Sequence, residues 1–99
     1  MAKELNSSNF DREIAGRTLV DFWAPWCGPC RAQAPILEVL EEEVPSVKVA
    51  KVNVDENEEL AMRYGVRSIP TLIVFENGEP KAKAVGTQSL ESLKKLVGA

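Results

Sequence analysis

The segment Thr18 to Ala24, reading Thr-Leu-Val-Asp-Phe-Trp-Ala, is β-prone and nearly apolar on both faces, and it constrains the fold more than any other stretch of the chain. A strand with one apolar face can border solvent, whereas a strand apolar on both faces belongs inside a sheet with helices packed above and below it. A second such run, Val47 to Val54, supplies the β-branched side chains Val47, Val49, Val52 and Val54. Between them, Gly28 to Val44 places Ile36, Leu37, Leu40 and Val44 at helical spacing, with Glu41, Glu42 and Glu43 read as a solvated face. Pro35 falls inside this helix, where it deletes a backbone hydrogen bond and is expected to bend the axis. Two buried strands joined by a helix form a β-α-β unit with parallel strands and a right-handed crossover.

The rest of the chain extends that unit. Asn57 to Tyr64 reads as a short helix with Leu60 and Met62 turned inward, stopped at Gly65, which tolerates the left-handed geometry of a helix end. Thr71 to Glu76 and Pro80 to Val85 are strands joined through Asn77-Gly78, a pair that signals a tight hairpin and therefore an antiparallel pairing. Ser89 can cap a last helix in which Leu90, Leu93, Leu96 and Val97 line one stripe and Lys94 and Lys95 favour the C-terminal end. Upstream, Met1 to Leu5 reads as an edge strand, and Asn6 to Ala15 as a helix entered through Asn6, Ser7 or Ser8. The expected fold class is α/β: a central mixed β-sheet flanked by helices on both faces.

Composition narrows the function. A chain of 99 residues with 44% hydrophobic content has room for one core, so a single domain over residues 1–99 is expected. Its 12 basic residues are outnumbered by 15 acidic ones, for a formal charge of -3, and Arg12, Arg17, Lys48, Lys51, Arg63, Arg67, Lys81 and Lys83 are scattered along the sequence. Nucleic acid is not an expected partner. Apolar stretches such as Thr71 to Phe75 are strand-sized, short of the ~18 to 20 residues of a membrane-spanning helix. A soluble protein follows, and Met1 to Phe10 lacks the basic-then-apolar layout of a secretory signal, which favours the cytoplasm. The absence of histidine removes the usual proton shuttle and the commonest metal ligand, and no metal site is expected.

The only cysteines fall in Trp26-Cys27-Gly28-Pro29-Cys30, where the first buried strand ends and the long helix starts. Unpaired N–H groups and the macrodipole at a helix N-terminus favour an anion, so a thiol there loses its proton more readily than a free one. Cys27 is the expected nucleophile, and Cys30, one turn further in, the resolving thiol. Competing readings are a structural disulfide, which would close too short a loop to constrain the unfolded chain much, and a zinc site shared between two chains, since one chain offers only two thiols. Two thiols acting merely as small hydrophobes fit poorly with the Gly-Pro turn between them. A further alternative is a docking or processivity subunit that keeps the fold without redox turnover.

Three segments carry a resemblance. Val20-Asp21-Phe22-Trp23-Ala24-Pro25-Trp26-Cys27-Gly28-Pro29-Cys30-Arg31, then Val49-Ala50-Lys51-Val52-Asn53-Val54-Asp55, then Tyr64-Gly65-Val66-Arg67-Ser68-Ile69-Pro70-Thr71, together closely resemble the thioredoxin family, in the right order and over nearly the whole chain. The sequence departs from that pattern in a shorter segment before Thr18, which bears on the first strand and helix and not on the thiols. Gly28-Pro29 resembles the reducing members of the fold rather than the oxidising or isomerising ones, which usually carry a histidine there. The resemblance implies reduction of protein disulfides through a redox-active Cys27–Cys30 pair with no bound cofactor. It further implies electrons drawn from NADPH through a flavoprotein thioredoxin reductase, disulfide-containing client proteins as partners, and a monomer.

The resemblance also assigns supporting residues. Asp21 stands in the most apolar strand, where a carboxylate is costly unless paired or protonated. By itself it could equally face solvent near a strand edge; by resemblance it is the buried acid that moves a proton to and from Cys30, and Lys51, otherwise an ordinary solvated strand residue, is its neighbour. Pro70 by base rate would be trans, and by resemblance is cis, packed beside the cysteines so that the preceding backbone can pair with an extended substrate. Trp26, Gly28, Pro29, Ser68, Ile69, Pro70, Gly86 and Thr87, with Val54 and Val85, would then form a flat docking surface; for the two valines a plain core role competes. Trp23 is read as a packing residue whose indole N–H needs a partner.

Overall fold

The computed structural model describes residues 2–99. Met1, the first residue of the expected edge strand, lies outside the described residues. The elements run β1 (Lys3–Leu5), α1 (Phe10–Glu13), β2 (Thr18–Trp23), α2 (Gly28–Glu43), β3 (Lys48–Asn53), α3 (Glu58–Arg63), β4 (Thr71–Glu76), β5 (Glu79–Val85) and α4 (Leu90–Leu96). The sheet order is β1-β3-β2-β4-β5. β3 runs parallel to both β1 and β2, β4 antiparallel to β2, and β5 antiparallel to β4. The mixed sheet expected from the two apolar runs and the hairpin is therefore present, with β2 at its centre.

Alternation along the strands sends successive side chains to opposite faces and so makes two cores. On one face Val20, Phe22, Ala50, Val52, Ile73 and Phe75 meet Phe10 and Ile14 from the α1 segment and Leu60 from α3. On the other, Leu19, Val49, Leu72 and Val74 meet Leu37 and Leu40 of α2 with Leu93 and Val97 near α4. Asp21 and Trp23 share the parity of Leu19, so strand periodicity sends both to the α2 side.

Local signals mostly hold. Asn77 and Gly78 both have positive φ, 53° and 80°, the backbone that a two-residue hairpin demands. Gly65 ends α3 at φ 66°, and the Ser89 hydroxyl caps α4 by accepting from Ser92 N–H at 3.1 Å. α2 continues through Pro35.

Three expectations are corrected. The first helix is only Phe10–Glu13 rather than Asn6 to Ala15: Asn6 Oδ1 accepts from the Ser8 and Asn9 N–H groups while Asn9 Oδ1 accepts from Asn6 N–H, closing a separate turn ahead of the helix. Met62 points outward at 79% exposure, because Ala61 takes the inward place beside Leu60. The buried Asn57 amide, just ahead of α3, donates to the Asn53 carbonyl at 3.0 Å. Glu41 is half-buried rather than solvated and lines a small cavity beside Asp21.

Candidate functional site

The sheet and α2 together put the cysteines where the chain changes direction. Cys27 occupies the N-cap of α2 with an extended backbone, and its Sγ accepts from Cys30 N–H at 3.2 Å. Cys27 and Cys30 are joined as a disulfide, with Cα atoms 5.2 Å apart. Both are nearly buried, at 4% and 3% exposure, against Ala24, Trp23, Val54 and Ile69. The first turn of α2 holds no acidic side chain to oppose an anion, and Arg31 extends back to the Pro25 carbonyl at 3.0 Å.

The loops around the thiols converge from distant parts of the sequence. The Ile69–Pro70 bond is cis, and the Ile69 carbonyl lies 3.8 Å from Cys27 Sγ. Pro70 is buried, Ile69 half-buried and Ser68 exposed, and the Ser68 carbonyl receives the Thr71 hydroxyl at 2.5 Å. Gly86, at φ 91°, donates its N–H to the Pro70 carbonyl at 2.8 Å, and the Thr87 hydroxyl donates to the Pro29 carbonyl at 3.2 Å. Gly28 and Pro29 are exposed. Trp26 stands 68% exposed with its indole N–H held by Asp55 Oδ2 at 2.9 Å, and Val85 is 55% exposed rather than core. Val54 is half-buried, packed on two of the apolar clusters.

Asp21 is 4% exposed, and Oδ1 makes no hydrogen bond among the described residues. Burial pushes its carboxyl up to about 7, against a smaller downward pull from the Lys51 ammonium. Lys51 is the direct register partner of Asp21 on β3. It is half-exposed, with its Nζ 4.8 Å from the centre of the Trp23 ring and 3.9 Å from Glu4 Oε1. A cavity of about 60 Å³, lined by Asp21 and Lys51 together with Ala34, Glu38 and Glu41, adjoins the pair. The Trp23 indole N–H finds Glu4 Oε2 at 3.4 Å.

The sequence profile of the Thioredoxin family matches residues 1–99. The chain belongs to the thioredoxin family. It is 51% identical over 98 residues to a thioredoxin of Chlamydia pneumoniae, covering 98% of this chain and 96% of that protein. It is 52% identical over 83 residues to a thioredoxin of Bacillus subtilis (strain 168), covering 83% of this chain and 80% of that one. A mutant thioredoxin from Halobacterium salinarum NRC-1 superposes with a TM-score of 0.91 at 39% identity, over 97% of this chain and 87% of that one. A thioredoxin-family chain with its cysteine pair at bonding distance is a thiol–disulfide oxidoreductase, and dithiol–disulfide exchange is the chemistry of Cys27 and Cys30.

One supporting residue escaped the sequence reading. Gln33 is fully buried on α2 and clamps the segment after β5, donating to the Gln88 carbonyl at 3.1 Å and accepting from Gln88 N–H at 2.6 Å. It thereby holds the loop bearing Gly86 and Thr87 against the thiol helix. Its signal was present: a polar side chain three residues after Cys30 and four before Leu37, on the stripe that faces the core.

Proposed function

We propose that this chain, acting as one domain over residues 1–99, reduces protein disulfides with Cys27 as nucleophile and Cys30 as resolving thiol. The Cys27 thiolate attacks one sulfur of a client disulfide, forming a mixed disulfide and expelling the other client sulfur as a thiolate. Cys30, losing its proton, then attacks Cys27 Sγ, closing the Cys27–Cys30 bond and releasing the second client sulfur. Two electrons pass to the client, and the protons end on its thiols. Asp21 serves as acid and base toward Cys30, and Lys51 tempers its charge. The observation that carries the reading is the hydrogen bond from Cys30 N–H to Cys27 Sγ at the start of α2, which makes one of the two thiols the better anion.

Trp26, Gly28, Pro29, Ser68, Ile69, Pro70, Gly86 and Thr87 offer the client a shallow surface, and the Ile69 backbone beside Cys27 is the edge on which an extended client segment pairs. The oxidised pair is returned to the dithiol by an NADPH-dependent flavoprotein reductase, and the chain works as a cytoplasmic monomer. A docking role without turnover would leave the thiol geometry unused.

Insulin disulfide reduction with dithiothreitol as donor tests the assignment. Cys27→Ser is expected to lose the catalysed rate, and Cys30→Ser to accumulate a mixed disulfide through Cys27. Wild-type turnover by Cys27→Ser would overturn the assignment, as would trapping of clients through Cys30.

A further inference from the structure

Although the chain is net negative, its fold gathers cations at one place away from the thiols. A cleft of about 460 Å³ lies between the end of α3 and the outer strand β5, with Arg63, Lys81 and Lys83 on its walls and Tyr64, Ile73 and Pro80 beneath them. Among the described residues no acidic side chain lines it. Asp11 approaches Arg63 at 3.1 Å, and Lys83 Nζ donates to the Gly65 carbonyl at 3.5 Å, while Lys81 makes no ion pair among the described residues. Among the described residues β5 has β4 as its only strand neighbour, so its outer backbone groups, apart from Pro80, which has no N–H, are unused by the sheet. Lys81 and Lys83 both line the cleft, Lys81 at the β-bulge where Val74 and Phe75 pair with Ala82 and Pro80.

We propose that this cleft docks an extended acidic segment of a partner protein, added to the outer edge of β5 with its carboxylates set against Lys81, Lys83 and Arg63. Main-chain pairing supplies affinity and the cations supply the choice of sequence. A second copy of β5 is the wrong occupant, because it would set Lys81 and Lys83 of each chain against those of the other. The same strand runs on into Gly86 and Thr87 beside Pro29, so a segment seated on β5 belongs to a protein whose disulfide can reach Cys27. That last step rests on the proposed reductase function, whereas the docking itself does not.

The test uses a short synthetic peptide that alternates Glu with Val and lacks cysteine, titrated into the whole protein while backbone amide resonances are followed. Binding that weakens with added salt, with shifts along β5 and at Arg63, is expected for wild type and equally for Cys27→Ser, so loss of redox function leaves the readout intact. Reversing two charges that face carboxylates is costly, so Lys81→Glu with Lys83→Glu is expected to weaken binding by about tenfold or more. Lys95→Glu on α4 is expected to leave it unchanged. A peptide with Lys in place of Glu that binds as well would overturn the proposal. So would displacement by an equal concentration of inorganic phosphate, concentration-dependent dimerisation through β5, or undiminished binding by the double variant.

Discussion

Asp21 bears on stability through its burial and, by the proposed mechanism, on rate. Its carboxyl titrates near 7 in the folded chain, against an ordinary value of 3.8, because burial penalises the ionised form more than Lys51 relieves it. The folded state therefore holds the proton more tightly than the unfolded state does. The contribution of Asp21 to stability is most favourable at acid pH, falls as pH rises from about 4 through about 7, and levels off above that. At about 1.4 kcal/mol for each tenfold in proton affinity, the gap corresponds to an upper bound of about 4 kcal/mol. Asp21→Asn keeps the shape and removes the charge, so its melting temperature is expected to exceed that of wild type at pH 8 and to match it at pH 4. Disulfide reduction by the same variant is expected to slow as Cys30 loses its proton acceptor. A melting difference independent of pH would separate Asp21 from the titration, and an unchanged rate would remove it from the proton transfer.

At the scale of elements, the short N-terminal pieces are held by charge as much as by packing. Glu13, at the end of α1, receives Lys48 Nζ of β3 at 2.8 Å and Lys3 Nζ of β1 at 2.9 Å. Those hydrogen bonds, Lys48 before Lys3, draw its carboxyl down to about 2. A depressed folded value contributes stability that is present above the ordinary carboxylate range and is lost as pH falls toward 2. Glu13→Gln is accordingly expected to lower the urea midpoint at pH 7 and to converge with wild type near pH 2, with faster amide exchange in β1 at neutral pH. A constant offset between the two proteins across pH would show that packing, and not the shared ion pairs, holds β1. On the other side of the sheet, α2 is bridged to α4 by Lys94 and Glu43 and to the segment between β5 and α4 by the Gln33–Gln88 clamp. The clamp stiffens the loop beside the thiols.

At the scale of the whole molecule, the aromatic core and the thiol-bearing helix α2 occupy different sides of one sheet. Phe10 packs edge-on to Phe75 with ring centres 5.5 Å apart and tilted to Tyr64 at 5.5 Å, on the face away from α2. Phe10 is fully buried, so its removal leaves a cavity in the aromatic cluster, and Phe10→Ala is expected to cost about 3–5 kcal/mol. The alkylation rate of reduced Cys27 is expected to be unaltered under conditions where the variant remains folded. A parallel fall in thiol reactivity would mean that the aromatic face positions the N-terminus of α2.

The strands, the hairpin, the long helix and its cysteine pair could be read from residue order, because each depends on periodicity, turn chemistry or spacing within a dozen residues. Asn77-Gly78 needs only its own backbone freedom, and Cys27 needs only to stand where a strand gives way to a helix. The first helix was overestimated because Asn6 and Asn9 bond to each other's backbone, a local competition that composition does not rank. Burial of Asp21 followed from the family resemblance, since its strand alone left a solvent-facing place open, and the half-burial of Glu41 had no such guide, since it depends on what packs across from α2. Gln33 meeting Gln88, Asp55 holding Trp26, and Ile69 arriving beside Cys27 all join residues 29 to 55 positions apart. The cations Arg63, Lys81 and Lys83 look dispersed along the chain and become neighbours only when β5 folds back beside α3. Short-range backbone preference thus determined the elements, whereas the meeting of distant side chains was decided by closure of the sheet, because contact energy depends on distance in space and not on separation along the chain.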